Sequence, residues 1–185
     1  MEVLQAIHHR QSVGKVKPDP LPRDVVERLL DAAVQAPNHH KVRPWRFIVI
    51  SGEGRNRLGD LMAESLRQRK PEILEEGLAA ERAKALRSPV IIAVGVDKPT
   101  ESKVVEIENI CAAAAATQNL LLAAEGLGLA AMWRTGPAAT DPAVKAFLGL
   151  QADQHIIGFV YLGYPESERP TPERPGFEDR TKWLD

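Results

Sequence analysis

The sequence predicts an α+β fold, with helices and strands mixed and no regular βαβ alternation. Three observations carry that reading. Short apolar runs, three of them rich in β-branched residues, stand at residues 46–52, 88–97, 129–134 and 155–165. Two longer segments, 21–35 and 106–126, repeat their apolar residues at helical spacing. The order is irregular, because two helical segments precede the first strand and a charged tail follows the last.

Taken in order, residues 1–10 form a short helix with Val3, Leu4 and Ile7 on one face. Gly14, Pro18, Pro20 and Pro22 then punctuate the chain. Residues 21–35 form a second helix on Val25, Leu29, Ala32 and Ala33, with Pro22 near its first turn. Residues 36–44 are a loop, and 46–52 a strand closed by Gly52. Residues 53–86 are one or two amphipathic helices, broken near Lys70-Pro71 because proline disfavours helix in the residue before it. The run 88–97 is apolar on both faces and belongs at the centre of a sheet. Residues 106–126 make a long helix, whose alanines at 112–116 let another helix approach closely. Strand 129–134, helix 139–150 capped by Thr140 or Asp141, and strand 155–165 follow. The tail from residue 166 to 185, proline-bearing and charged, cannot build core and wraps an outer surface or a partner subunit.

With 185 residues the chain is sized for one domain. A net charge of -1 favours neither nucleic acid nor an anionic membrane, so any anion must be held by local groups. The most apolar window, 110–132, is interrupted by Thr117, Gln118, Asn119 and Glu125, and reads as a buried helix rather than a membrane span. Cys111 is the one cysteine, which fits a reducing compartment, and the N-terminus carries no signal-peptide pattern. Cytoplasmic residence is the expectation. Within an alanine-rich helix, Cys111 is expected to be buried and inert.

The stretch APNHHKVRPWRF, residues 36–47, crowds cationic and hydrogen-bonding groups into a connection that only needs to turn. It reads as a solvated loop, a metal site, or a cradle for a flat anionic cofactor. Metal is disfavoured, because adjacent histidines (His8-His9, His39-His40) point apart and no Cys or carboxylate stands beside them at ligand spacing. GEGRNRLG at 52–59 has Arg57 where a dinucleotide fingerprint needs its third glycine. It reads as a strand-to-helix turn. Gly126 and Gly128 read as a helix C-terminus in left-handed conformations. Arg10-Gln11-Ser12, at a helix exit, sets a guanidinium fork and a hydroxyl within reach of one phosphate; the alternative is a solvated helix end. Trp133-Arg134-Thr135 closes an apolar strand before Gly136-Pro137, where backbone can meet a ligand; the alternative is a core Trp beside a surface Arg.

Together HHRQSV at 8–13, APNHHKVRPWRFIVI at 36–50, GLGLAAMWRTG at 126–136 and the closing HIIGFVYLGYP resemble the FMN-dependent nitroreductase family in its short branch, over residues 3 to about 165. The resemblance implies a central mixed sheet flanked by helices, and a homodimer with a helical interface and two FMN sites shared between subunits. It implies FMN contacts from Arg10, Gln11, Ser12, Trp133, Arg134 and Thr135, and from Gln35 and His39 of the neighbouring subunit. Arg10 and Arg134 are expected to meet on one phosphate. NADH or NADPH is implied to approach near Ala123, Ala124, Glu125, Gly126, Leu127 and Gly128. Larger relatives carry a lysine where Gly14 stands; Lys15, Lys41 or Arg43 replaces it, or the flavin potential is lower. Larger relatives also use basic residues near the C-terminus on the phosphate, a role that Arg180 and Lys182 could serve here. The activity implied is ping-pong hydride transfer from NAD(P)H through FMN to a small-molecule acceptor such as a nitroaromatic or quinone, with no protein residue required as catalyst. Alternatives are a dehalogenase or enone reductase on the same fold, a flavin carrier or sensor without turnover, and a protein without flavin.

Overall fold

The computed structural model describes residues 1–184, so the last residue of the expected tail lies outside the described residues. Among the described residues, six α-helices and four strands alternate irregularly. They are α1 (Val3–His9), α2 (Arg23–Ala33), β1 (Trp45–Ser51), α3 (Glu53–Arg69), α4 (Glu75–Ala83), β2 (Val90–Val96), α5 (Glu106–Gly126), β3 (Ala130–Arg134), α6 (Pro142–Phe147) and β4 (His155–Gly163).

The strands form one sheet in the order β1-β2-β4-β3. Each of its three ladders is antiparallel, which corrects the mixed sheet expected from the sequence. Parallel pairing is confined to an isolated bridge between Ser12 and Ala131. The sheet is antiparallel because no βαβ crossover places successive strands side by side in the same direction. β2 is buried along its whole length, since both of its faces are covered.

Strand alternation sends side chains to two separate cores. Val90, Ile92, Val94, Val160, Leu162 and Ala131 meet α2 and the alanine face of α5. Ile91, Ala93, Phe159 and Tyr161 meet Leu58 of α3 and Val144 of α6. The molecule is therefore three layers, with the sheet in the middle.

Local chemistry explains the element ends. Asp141 caps α6, its carboxylate accepting from the N–H groups of Ala143 (2.8 Å) and Val144 (3.1 Å). The α3–α4 break falls at Lys70-Pro71, as the proline requires. Gly59 lies inside α3 because a Cβ there would stand 2.6 Å from the Arg82 carbonyl oxygen; this glycine lets α3 and α4 touch. Gly128, at φ 73°, closes α5. The Leu129 N–H reaches the Ala124 carbonyl (2.8 Å) and the Gly128 N–H the Glu125 carbonyl (3.0 Å), satisfying two end-of-helix acceptors. Gly126 is the last helical residue and does not share the left-handed conformation, contrary to the sequence reading.

Cys111 is exposed, also contrary to expectation. It lies on the face of α5 that points away from the sheet, and alanine-rich composition did not reveal which face that would be. The same side of the molecule exposes Val105 and Ile107, and α1 exposes Val3, Leu4 and Ile7. No helix among the described residues is long and apolar enough to cross a membrane.

Candidate functional site

The chain leaves α1 at Arg10 in an extended conformation (φ -52°, ψ 127°) and runs along the free edge of β3. The Val13 N–H donates to the Ala131 carbonyl at 3.0 Å, and Lys17 to Tyr164 at 2.8 Å. This places Arg10-Gln11-Ser12 beside the strand that ends in Trp133-Arg134-Thr135. Ser12 is exposed, and the Gln11 amide donates to the Pro170 carbonyl of the tail at 2.8 Å.

Arg10 is partly buried and faces Arg174, whose guanidinium donates to the carbonyls of Ile7 (3.4 Å), His8 (3.2 Å) and Arg10. Burial first, and then the Arg174 charge, lower the Arg10 pKa from its ordinary value, with Glu125 opposing. Neither guanidinium forms an ion pair with a carboxylate among the described residues. Glu125, the carboxylate whose charge acts on Arg10, is 3% exposed and already engaged. It meets His9 Nδ1 at 2.6 Å and Arg169 Nη1 at 3.0 Å. An arginine without a carboxylate partner beside a second cation can receive an anion, because the planar guanidinium fork matches two oxygens of a phosphate.

The sequence reading put the Arg10 and Arg134 guanidiniums on one phosphate. The structure sends them to different layers. Trp133 faces the α5 side, where its indole N–H donates to the Ile157 carbonyl at 3.2 Å. Alternation then turns Arg134 to the α3 side, where its guanidinium lies 5.6 Å from the centre of the Tyr161 ring. The guanidinium near Arg10 is that of Arg174 instead. The tail residues Arg180 and Lys182 do not approach Arg10; both are exposed, and Arg180 pairs with Asp179 at 3.3 Å. Arg174 lies 164 positions from Arg10, and nothing local in ERPGFEDR marks it out.

The 36–44 connection is strained. His40, Lys41 and Arg43 have φ of 53°, 54° and 51°, in the left-handed region that side chains with a Cβ avoid. The clasp that holds it is the Asn38 side-chain oxygen accepting from the Arg43 N–H at 2.9 Å. His39 stacks on His40, with ring centres 4.0 Å apart, and its Nδ1 meets the Glu108 carboxylate at 2.9 Å. The hydrogen bond from His39, and then its charge, lower the Glu108 pKa. Gln35 is exposed beyond the end of α2, its amide donating to the Asp31 carbonyl at 3.3 Å. His39 therefore sits beside Glu108 near the start of α5, whereas Arg10 sits beside Glu125 at its end. The 17 positions between them span about 25 Å of helix. One chain does not bring these two groups together.

In the segment 123–128, Ala124 and Glu125 are buried, whereas Gly126 and Gly128 are exposed. His9 and Arg169 enclose the Glu125 carboxylate, so an incoming molecule meets backbone here rather than that side chain. A Cβ at Gly14 would stand 3.0 Å from the Met132 methyl, and Lys15, Lys41 and Arg43 are all exposed. His155 and Lys98 share the Glu106 carboxylate, so His155 is a satisfied surface residue. No group of three or more His, Cys, Asp or Glu residues is arranged to hold a metal among the described residues.

This three-layer α+β arrangement is that of the nitroreductase-like proteins. A nitroreductase-like family protein from Bacillus cereus superimposes with a TM-score of 0.85 at 25% identity, covering 100% of this chain and 97% of that one. A nitroreductase-type protein from Desulfovibrio desulfuricans, solved in complex with FMN, gives 0.77 at 26% identity, covering 100% and 98%. The pattern of the Nitroreductase family matches residues 7–164, and the chain belongs to that family. YfhC of Bacillus subtilis, provisionally named an NAD(P)H nitroreductase, is 31% identical over 175 residues, covering 94% of this chain and 90% of that protein.

Proposed function

We propose that this protein is an FMN-dependent NAD(P)H oxidoreductase that acts as a homodimer, passing electron pairs from NADH or NADPH to a small-molecule acceptor of the nitroaromatic or quinone type. The observation that carries the reading is that Arg10, partly buried beside Arg174 and near β3, has no carboxylate in ion-pair contact among the described residues. Arg10 and Arg174 offer the riboflavin phosphate two guanidiniums, and Ser12 adds a hydroxyl donor. FMN, when bound, supplies the two-electron hydride chemistry. The chain's own residues bind and orient. Gln11 and Ser12 line the entry along β3, and Trp133, Arg134 and Thr135 present backbone where that strand ends. The second half of the pocket comes from Gln35 and His39 of the other copy, because about 25 Å of α5 separates His39 from Arg10 within one chain. The exposed apolar residues of α1 and α5 supply the helical interface that this sharing needs. The backbone at Gly126 and Gly128 faces the incoming nicotinamide dinucleotide. With Cys111 a free thiol, we place the protein in the reducing cytoplasm.

The test is the absorption spectrum of the protein as isolated, followed by its response to each nicotinamide. A yellow protein bleached within seconds by NADH or NADPH, and recoloured by a quinone, is expected. A flavin that stays oxidised with both donors marks a carrier. A colourless chain that takes up no added FMN overturns the reading. Light scattering is expected to give twice 20.3 kDa, and an FMN-loaded monomer would refute the shared pocket.

A further inference from the structure

On the face of the sheet away from α5, a cavity of about 110 Å³ opens between the end of α3, Lys84 and the strands β3 and β4. Three cations line it, Arg69, Lys84 and Arg134, against one carboxylate, Glu81. That carboxylate is taken by Lys84 at 2.5 Å. Arg69 spends its Nε on the Ser65 carbonyl (3.1 Å), which leaves its two terminal amino groups free, and Arg134 rests on the Tyr161 ring. Neither arginine forms an ion pair among the described residues. Two hydroxyl-bearing residues, each mostly buried, line the same space. Tyr161 is 7% exposed and Ser65 5%, and neither side-chain oxygen has a hydrogen-bond partner among the described residues. Both hydroxyls are therefore available, beside guanidiniums without a carboxylate partner, to donate to a bound acceptor.

We propose that this cavity is a binding site for a small oxyanion, of the size and chemistry of inorganic phosphate. Arg69 and Arg134 supply the counter-charge, and Tyr161 and Ser65 donate hydrogen bonds. The size decides the class. Pockets for organic ligands run to roughly 300–1,000 Å³, so neither an aromatic acceptor nor a nicotinamide fits here, while one water leaves most of the space empty. Burial raises the Tyr161 pKa, with Arg134 and Arg87 opposing, so the phenol keeps its proton and acts as a donor. The site is separate from the flavin-phosphate couple at Arg10 and Arg174, which lies in the other layer of the molecule. Because Arg134-Thr135 forms one wall, an anion here stiffens the strand end that presents backbone to the flavin.

The test is calorimetric titration of the protein as isolated with sodium phosphate, at an ionic strength held constant with sodium chloride. Wild type is expected to show one saturable site per chain. Arg69→Met, a change on an exposed helix end, should weaken it at least about tenfold, as should Tyr161→Phe, which keeps the ring and removes the donor. Circular dichroism and flavin content of both variants should match wild type. Absence of a saturable site in wild type overturns the proposal, as does unaltered binding in both variants. Loss of phosphate binding in Arg10→Ala with retention in Arg69→Met would place the anion on the flavin-phosphate couple instead. Loss of FMN from Arg69→Met would make the cavity the flavin's own phosphate seat. Either result refutes a separate site.

Discussion

Replacing Arg10 by alanine separates an anion receptor from a merely solvated helix end. The side chain is partly buried, pressed by Arg174 and without a carboxylate in ion-pair contact among the described residues. A hydrogen bond to a charged group is worth about 1.5–3 kcal/mol. At about 1.4 kcal/mol per factor of ten, that is a 10- to 150-fold rise in the FMN dissociation constant. Partial exposure places the expectation near the lower end, because solvent screens the pair. Arg10→Lys keeps the charge and loses the fork, and should fall between. The assay is quenching of flavin fluorescence as apoprotein is titrated into FMN, repeated with riboflavin and at two salt concentrations. Riboflavin lacks the phosphate, so its affinity should be the same for wild type and Arg10→Ala, and the salt dependence should flatten in the variant. Unchanged FMN affinity in Arg10→Ala would refute the reasoning. So would an equal loss for riboflavin, since the residue would then be shaping the pocket and not holding charge.

Three further outcomes follow from the packing. In Gly158→Ala the new Cβ would stand 2.2 Å from Trp133 Nε1 and 2.7 Å from the Arg134 carbonyl oxygen. Overpacking of this kind costs about 1–3 kcal/mol, readable as a lower urea midpoint, with weaker FMN binding because the strand end moves. Glu125→Ala leaves Arg169 and His9 without their buried partner and should lose about 3 kcal/mol or more in urea denaturation. The lowered Glu108 pKa means that its contact with His39 contributes above the ordinary value of 4.5 and is lost as pH falls through the lower folded value. Wild type and Glu108→Gln should therefore differ in denaturation midpoint at pH 6 and converge toward pH 3.

The layers were legible in the sequence and the side-chain faces at the site were not. Periodicity marks α2 and α5, and the doubly apolar run 90–96 identifies the central strand, because burial on both faces leaves no polar alternation. Proline chemistry located the α3–α4 break. Arg134 and Cys111 escaped for one reason: each lies on an element whose neighbours are small or apolar all round, so composition does not say which way a side chain turns. Arg174 escaped for another. Its role rests on a tail without regular structure folding back onto the carbonyls at the end of α1, and no local signal records a contact across 164 positions. The helix exit at Arg10-Gln11-Ser12 was readable, because the apolar spacing of α1 stops before it.

The strain at 40–43 bears on whether the 36–44 connection is built for binding or is only a turn. A residue with a Cβ in the left-handed region costs about 1–2 kcal/mol. Glycine relieves that cost and restores about 0.5–1 kcal/mol of unfolded-chain entropy. Lys41→Gly, at φ 54°, should then stabilise the protein by up to about 1 kcal/mol in urea denaturation. A loop that merely turned would have no reason to keep lysine there. If the strain fixes His39 for the flavin pocket of the neighbouring copy, the glycine variant becomes more stable while its FMN affinity falls, since a looser loop loses ordering on binding. Stability and affinity moving in opposite directions is the signature that a plain turn does not produce. A variant that gains stability and keeps wild-type FMN affinity would show that the strain plays no part in binding, and one that loses stability would show that the Lys41 side chain holds the loop by contacts stronger than its backbone cost.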